Sequence, residues 1–276
     1  MASNTRQKNY GTGDPKLDLA SRLIPGVRSR SAFGVNTDLD SGIEETVWNV
    51  GGLWTGLTAA QTLDIVSDNA DDDAATGQGA WEVEILGLTS FDSPESLITE
   101  RVSLDGITPV TTTNEFVFFC AAKVSNHGSS GVNVGTITFD GSVDATTQAQ
   151  IDPLTGATRS AICGIPAGQT MFVTNFTASI LRGSTSGEID IQLKQDSGIH
   201  LDLTPNSSTM IHQIGLRGSG TSSFVHNFNP YFEVMGPAVV SLTAISNTNN
   251  TQMTGGFDLV VTDNQQMTML RMARGS

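Results

Sequence analysis

The sequence predicts an all-β protein: an antiparallel β-sandwich, jelly-roll-like, with an extended N-terminal arm. Three observations predict it. Alternation with a period of two recurs along the body, as in EIDIQLK (188–194), where Ile189, Ile191 and Leu193 share one face. Turn signals such as Asp105-Gly106, Asp140-Gly141 and Pro205-Asn206 separate the alternating runs at short spacing, the layout of a sandwich. The composition agrees: 29 glycines and only 15% charged residues, among many Thr, Ser and Asn, make a turn-rich, strand-forming chain. No long helical stripe runs through the body.

Residues 1–45 read as the arm. Gly11, Gly13-Asp14-Pro15, Pro25-Gly26 and Gly34 interrupt it every few residues, and only Lys16–Ile24 has the makings of a short helix before Pro25. Residues 46–142 read as an N-terminal β lobe. It opens at Thr46–Val50, passes through a loop with Trp54 and Leu57, and continues with strands at Leu63–Val66 and Ala80–Leu86. The stretch the rest is organised around is Leu97–Val124. In it, Leu97–Leu104 alternates, Asp105-Gly106 supplies a hairpin turn, and Ile107–Asn114 is a stretch rich in β-branched residues where Pro109 favours an edge or a bulge. Phe116–Ala121 then runs almost continuously apolar, as a strand covered on both faces does. Val132–Phe139 finishes this lobe.

Ser142–Ala167 is polar, carries Asp152-Pro153 and one short strand at Ser160–Ile165, and reads as the boundary. Residues 143–263 form the expected C-terminal β lobe, with strands at Gln169–Leu181, Glu188–Lys194, Met210–Leu216, Phe224–Phe232, Val239–Ile245 and Phe257–Val261. The tail, 264–276, holds Met267, Met269, Leu270 and Met272, a docking segment or a frayed end.

The run ERVSLDGITPVTTTNEFVFF (100–119), with SGVNVGTITFDG (130–141) and IPAGQTMFVTNFTASI (165–180), resembles a family of virion structural proteins of tailed bacteriophages, especially those of marine and cyanobacterial hosts. The similarity runs from about Thr46 to Asp263, in strand-and-turn motifs that mark a fold and a source rather than an activity. The resemblance implies a virion structural protein of the head, decoration or tail, and within that setting the expected role is a non-enzymatic capsid cement or decoration protein that bridges neighbouring shell subunits. Its partners would be the major capsid protein or other virion subunits, with a homo-oligomer, a trimer, as the working form. A tail-fibre or head-spike module for host recognition is the alternative, and a polysaccharide-degrading tailspike is disfavoured because no long β-solenoid repeat is present.

Charge narrows the partners. Residues 1–30 hold six basic residues (Arg6, Lys8, Lys16, Arg22, Arg28 and Arg30) against Asp14 and Asp18, a net of +4. Residues 31–270 hold six basic and 26 acidic residues, a net of −20. A body that acidic repels nucleic acid, whereas a basic arm suits an acidic neighbouring subunit. Arg6, Lys8, Arg28 and Arg30, with Leu19, Leu23, Ile24, Trp54 and Leu57, are the expected interface residues. No apolar run reaches the length of a membrane span, and the N-terminus lacks the apolar core of a secretory signal. The expected location is the virion, assembled in the bacterial host cytoplasm.

Candidate chemistry is sparse. Asp68, Asp71, Asp72 and Asp73 are weak candidates for a calcium site: carboxylates are the right ligands, but the spacing fails the EF-hand pattern, and a solvated acidic loop is expected instead. Cys120 and Cys163 read as small core residues, with a disulfide between them the lesser alternative. His212 and His226 fall on neighbouring expected strands and can meet across a pair, while His127 and His200 stand apart. Glu82 and Glu84 share a strand face as a glycosidase pair does, although an exposed acidic face is the commoner meaning. Trp48, Trp54, Trp81 and Tyr231 suit core or interface roles. No nucleophile elbow, zinc-protease helix or phosphate loop occurs, and the sequence calls for no cofactor and no catalytic residue.

Overall fold

The computed structural model describes residues 14–182, 187–196, 208–218, 222–265 and 268. After a short helix α1 (Pro15–Ala20), the chain enters strands β1 (Val27–Leu39) and β2 (Glu44–Thr46). It then builds β3 (Leu63–Ser67), β4 (Ala80–Leu88), β5 (Leu97–Ser103), β6 (Val110–Thr111), β7 (Phe118–His127), β8 (Ile137–Gly141) and β9 (Thr147–Ile151). It closes with β10 (Ile162–Ile165), β11 (Gln169–Arg182), β12 (Gly187–Asp196), β13 (Thr209–Gly218), β14 (Ser223–Met235), β15 (Ala238–Ser246) and β16 (Thr251–Asp263).

The strand order defines a jelly roll. One sheet runs β1-β16-β11-β14, and the facing sheet runs β10-β15-β12-β13, with β2 also paired to β15. All the pairings are antiparallel. β2 lies opposite Thr243–Ile245 and β10 opposite Ala238–Ser241, so the two occupy successive stretches of one side of β15. Counted as one interrupted strand, they make eight positions ordered 1-8-3-6 in one sheet and 2-7-4-5 in the other, the double Greek key of a jelly roll. Between the sheets lies a core that includes Met171, Val173, Phe176, Ile189, Ile191, Leu193, Leu242 and Phe257.

The N-terminal lobe is therefore an insertion into the second strand of the jelly roll. Its own sheets, β6-β3-β8-β9 and β5-β4-β7, enclose a separate core around Ile65, Val83, Ile85, Phe116, Phe119 and Phe139. A third apolar cluster, Trp48, Trp54, Leu88, Phe118, Ile162 and Val239, fills the seam between the lobes. There Trp54 meets Phe118 edge to face, with ring centroids 5.5 Å apart.

Four sequence expectations change. The arm does not extend to residue 45, because β1 pairs with β16 from Val27↔Thr262 to Leu39↔Thr251 and is a jelly-roll strand. Gly34, which reads as a breaker, is a packing residue: a Cβ there would lie 1.8 Å from the Val47 carbonyl oxygen. The boundary expected at 142/143 falls inside the inserted lobe, since β9 pairs with β8. β9 was hidden by its polar composition, yet Gln148 is buried, its amide donating to the Thr55 and Thr146 carbonyls.

Nor is Leu97–Val124 a simple hairpin. β4 lies between β5 and β7, and after Asp105-Gly106 the chain crosses to the other sheet, where β6 pairs with β3. Glu100 explains its own place on an otherwise apolar face. Its carboxylate accepts the Thr113 and Asn114 amides and fixes the threonine-rich turn.

Candidate interaction surface

The two flanks of the jelly roll differ. On one, β1 and β10 lie against the inserted lobe, and Ser160 bridges to both Phe33 and Trp48. On the other, among the described residues, β14 pairs only with β11 and β13 only with β12. A strand edge without a neighbour presents unpaired amides and carbonyls, which readily accept another chain.

The open flank is also apolar. Along β14, Phe224, His226 and Phe228 recur at every second residue and turn half-buried into the mouth of the sandwich, where Phe224, Phe228 and Phe232 pack on the core. His212 of β13 stacks on His226 with ring centroids 4.3 Å apart, joining the two sheets there. Phe228 meets the His226 ring edge-on at 4.7 Å. Burial, helped by the charge of neighbouring His226, pushes the His212 pKa down from its ordinary value. Met210, Val225, Tyr231 and Met235 stand exposed on the same two strands. On the outer face of the β1-β16-β11-β14 sheet, Asp258 accepts from Ser31 Oγ at 2.6 Å and Asn175 Nδ2 at 2.7 Å, forming a polar row among these apolar groups.

The residues expected at an interface are scattered. Arg6 and Lys8 lie outside the described residues. Leu19 is half-buried beside Tyr231 in a groove on the outer face of the same sheet, Leu23 is exposed and Ile24 is half-buried. Arg28 and Arg30 belong to β1 and line clefts toward the inserted lobe rather than a free arm. Trp54 is 1% exposed, so the seam already covers it and it offers nothing to a partner. Leu57 packs on the inserted lobe's core.

The acidic loop is not simply solvated. Asp72 is wholly buried, and its carboxylate accepts from Ser67 Oγ, Ala80 N, Val134 N and Gly135 N at 2.7–2.9 Å. Gly79 permits this, since a Cβ there would lie 2.1 Å from Asp72 Oδ1. Asp68 accepts the Thr136 amide, and Asp73 accepts Ala75 N and Thr76 Oγ1. These carboxylates are turned to separate hydroxyl and amide donors of the inserted lobe instead of converging on one point. Among the described residues no group of three or more His, Cys, Asp and Glu side chains is placed to hold a metal ion.

Glu84 is flanked across the strands by Arg101 at 2.9 Å and Lys123 at 3.0 Å, and Glu82 accepts from Ser125 Oγ. Hydrogen bonds from Lys123 and Arg101 hold the Glu84 carboxyl below its ordinary pKa, which suits a strand-to-strand staple rather than a general acid. His127 sits at the end of β7, and His200 lies outside the described residues. Both cysteines are free thiols. Among the described residues no helix is long and apolar enough to cross a membrane.

No protein-family model and no curated protein matches the chain. Solved structures match weakly. That of infectious bursal disease virus, strain Gx, is 9% identical over 86% of this chain and 72% of that one, with a TM-score of 0.26. The STIV MCP is 9% identical over 85% of this chain and 97% of that one, with a TM-score of 0.23. The tandem CBM22 domain of Xyn10C from Paenibacillus barcinonensis is 10% identical over 86% and 93%, with a TM-score of 0.20. Likeness at these scores carries no argument, and the jelly-roll assignment rests on the chain's own strand order.

Proposed function

We propose that this chain is a structural protein of a virion, and more narrowly a cement or decoration protein of a tailed-phage capsid. The sequence resemblance over residues 46–263 supports the setting. The observation that carries the bridging role is the open flank, where two strand edges without a partner among the described residues and a half-buried aromatic row await cover. In this reading the partner across the flank is the major capsid protein or another virion subunit, and a trimer of this chain is the working form. Covering the flank completes hydrogen bonds and removes Val225, Tyr231 and Met235 from water. A stable interface of this kind buries about 1,200–2,000 Å² in total. Each bridge between neighbouring shell subunits then adds contact area that internal pressure has to break.

The basic segment 1–26 fits a second role, as a tether to acidic neighbours that weakens when salt screens it. The decisive experiment mixes purified protein with undecorated capsids and measures co-sedimentation. Val225→Lys with Met235→Lys, placed on exposed edge positions, should abolish decoration while leaving the melting temperature close to wild type. If the double variant decorates as well as wild type does, the flank is not the interface. A copy number per virion far below that of the shell protein would reject the cement role and leave host recognition in its place.

A further inference from the structure

We infer that the cleft between β1 and the inserted lobe binds a small carboxylate carrying an apolar body, with Arg30 as its anchor. The cleft has a volume of about 300 Å³ and lies where β1, β4, β7 and β10 converge. Arg30, Cys120 and Cys163 line it together, and the Arg30 charge acts on both thiols. Cys120 reaches it because a bulge in β7, opposite Leu86 and Gly87, leaves that residue out of the ladder.

Neither thiol neutralises the arginine. Burial drives both pKa values up, that of Cys120 to about 12, so both stay protonated. A guanidinium stays charged throughout. Among the described residues no carboxylate stands within ion-pair distance of Arg30, although the chain carries 28 acidic residues. A half-buried cation without a counter-charge favours any anion that fits beside it.

The walls define the rest of the ligand. Ala32, Phe33, Leu86 and Ile162 make most of the lining apolar, and Thr158 Oγ1 is already engaged by the Ala122 amide. At roughly 30 Å³ per non-hydrogen atom the cleft holds about ten such atoms. One carboxylate on the guanidinium fork and one small apolar group against Phe33 fill it. This assignment stands independently of any virion role.

The two cysteines, the only ones in the chain, are built-in reporters. We would measure maleimide labelling and melting temperature with benzoate, with its neutral analogue benzamide, and with inorganic phosphate. Benzoate should slow labelling several-fold and raise the melting temperature in wild type, benzamide and phosphate should do neither, and Arg30→Met should lose both benzoate effects. Should Arg30→Met fail to fold, Arg30→Lys keeps the charge without the two-pronged donor, and benzoate protection should still fall. Equal protection by benzamide, or protection that survives both variants, overturns the site. Phosphate acting as well as benzoate overturns the ligand class.

Discussion

Replacing Asp72 by alanine removes one acceptor from four donors at once. Ser67 Oγ and Gly135 N bond Oδ2 at 2.7 and 2.8 Å, while Ala80 N and Val134 N bond Oδ1 at 2.7 and 2.9 Å. These donors come from β3, from the start of β4 and from the segment before β8, so one carboxylate ties three parts of the inserted lobe. Each buried donor left without a partner costs about 1–3 kcal/mol. Water entering the vacated space recovers some of that, which leaves a loss of about 4 kcal/mol, at the low end of four such penalties. At about 2–4 °C per kcal/mol for a chain of this size, the melting temperature should fall by about 8–16 °C. The control is Asp68→Ala, which frees only the exposed Thr136 amide and should cost less than about 1 kcal/mol. Thermal unfolding followed by circular dichroism reads both variants, and excess chelator should leave the wild-type curve in place. If Asp72→Ala melts with Asp68→Ala, the carboxylate does not hold the lobe together. If chelator lowers the wild-type curve as much as the substitution does, the loop is a metal site after all.

Three further outcomes follow from the same geometry. Deleting residues 2–20 should leave the melting temperature nearly unchanged, whereas deleting 2–40 removes β1 from the edge of β16 and should abolish cooperative unfolding; equal melting of the two truncations would contradict the pairing of β1. Gly34→Ala puts a Cβ 1.8 Å from the Val47 oxygen and should cost about 2 kcal/mol or more in denaturant titration, while an unchanged midpoint would show the contact to be slack. The depressed pKa of His212 means that the unfolded chain takes up its proton first as pH falls. Stability from the neutral ring is therefore complete above the ordinary histidine pKa and is lost as pH drops through the lower folded value. His212→Gln should flatten that acid-side slope in urea unfolding, and an unaltered slope would remove the stacked pair as its source.

Much of the fold was legible because burial on one face writes a period of two into the chain. β4, β11, β12 and β16 carry that mark, and Ile189, Ile191 and Leu193 point into the core as their spacing requires. Strands that serve two environments lose it. β1 places Arg28, Arg30, Ala32, Gly34 and Asn36 at every second position, so its inner face carries charge, a glycine and an amide where an apolar row would announce a strand. β9 buries Gln148 and Ala149 side by side, and its alternation breaks for that reason. Partnership was less legible than the strands themselves. Asp105-Gly106 is a sound turn, but nothing local announces that β4 will lie between β5 and β7. The candidate surface suffered most: Phe224, His226 and Phe228 alternate visibly, yet an edge is defined by the strand that is missing beside it, and local sequence does not encode an absence.

The insertion determines which edge stays open. A jelly roll has two flanks, each with one edge strand from either sheet, and both are liable to pair with other chains. Here the second strand is interrupted, and the inserted lobe leaves and re-enters at adjoining stretches of β15. It has to sit over the flank formed by β1, β2 and β10. Gly34 brings β1 close to Val47 and Ala161, Trp48 and Trp54 fill the seam, and Lys194 pairs with Glu44 where β2 meets the sheet. One flank is thus closed within the chain by apolar packing. The flank of β13 and β14 receives no such cover among the described residues, and it is there that the phenylalanines, the histidine stack and the exposed Val225, Tyr231 and Met235 gather. Had the apolar row fallen on the covered flank, it would be ordinary core. Its place on the uncovered one, beside unpaired backbone groups, is what makes assembly with another subunit the chemistry this surface is suited to.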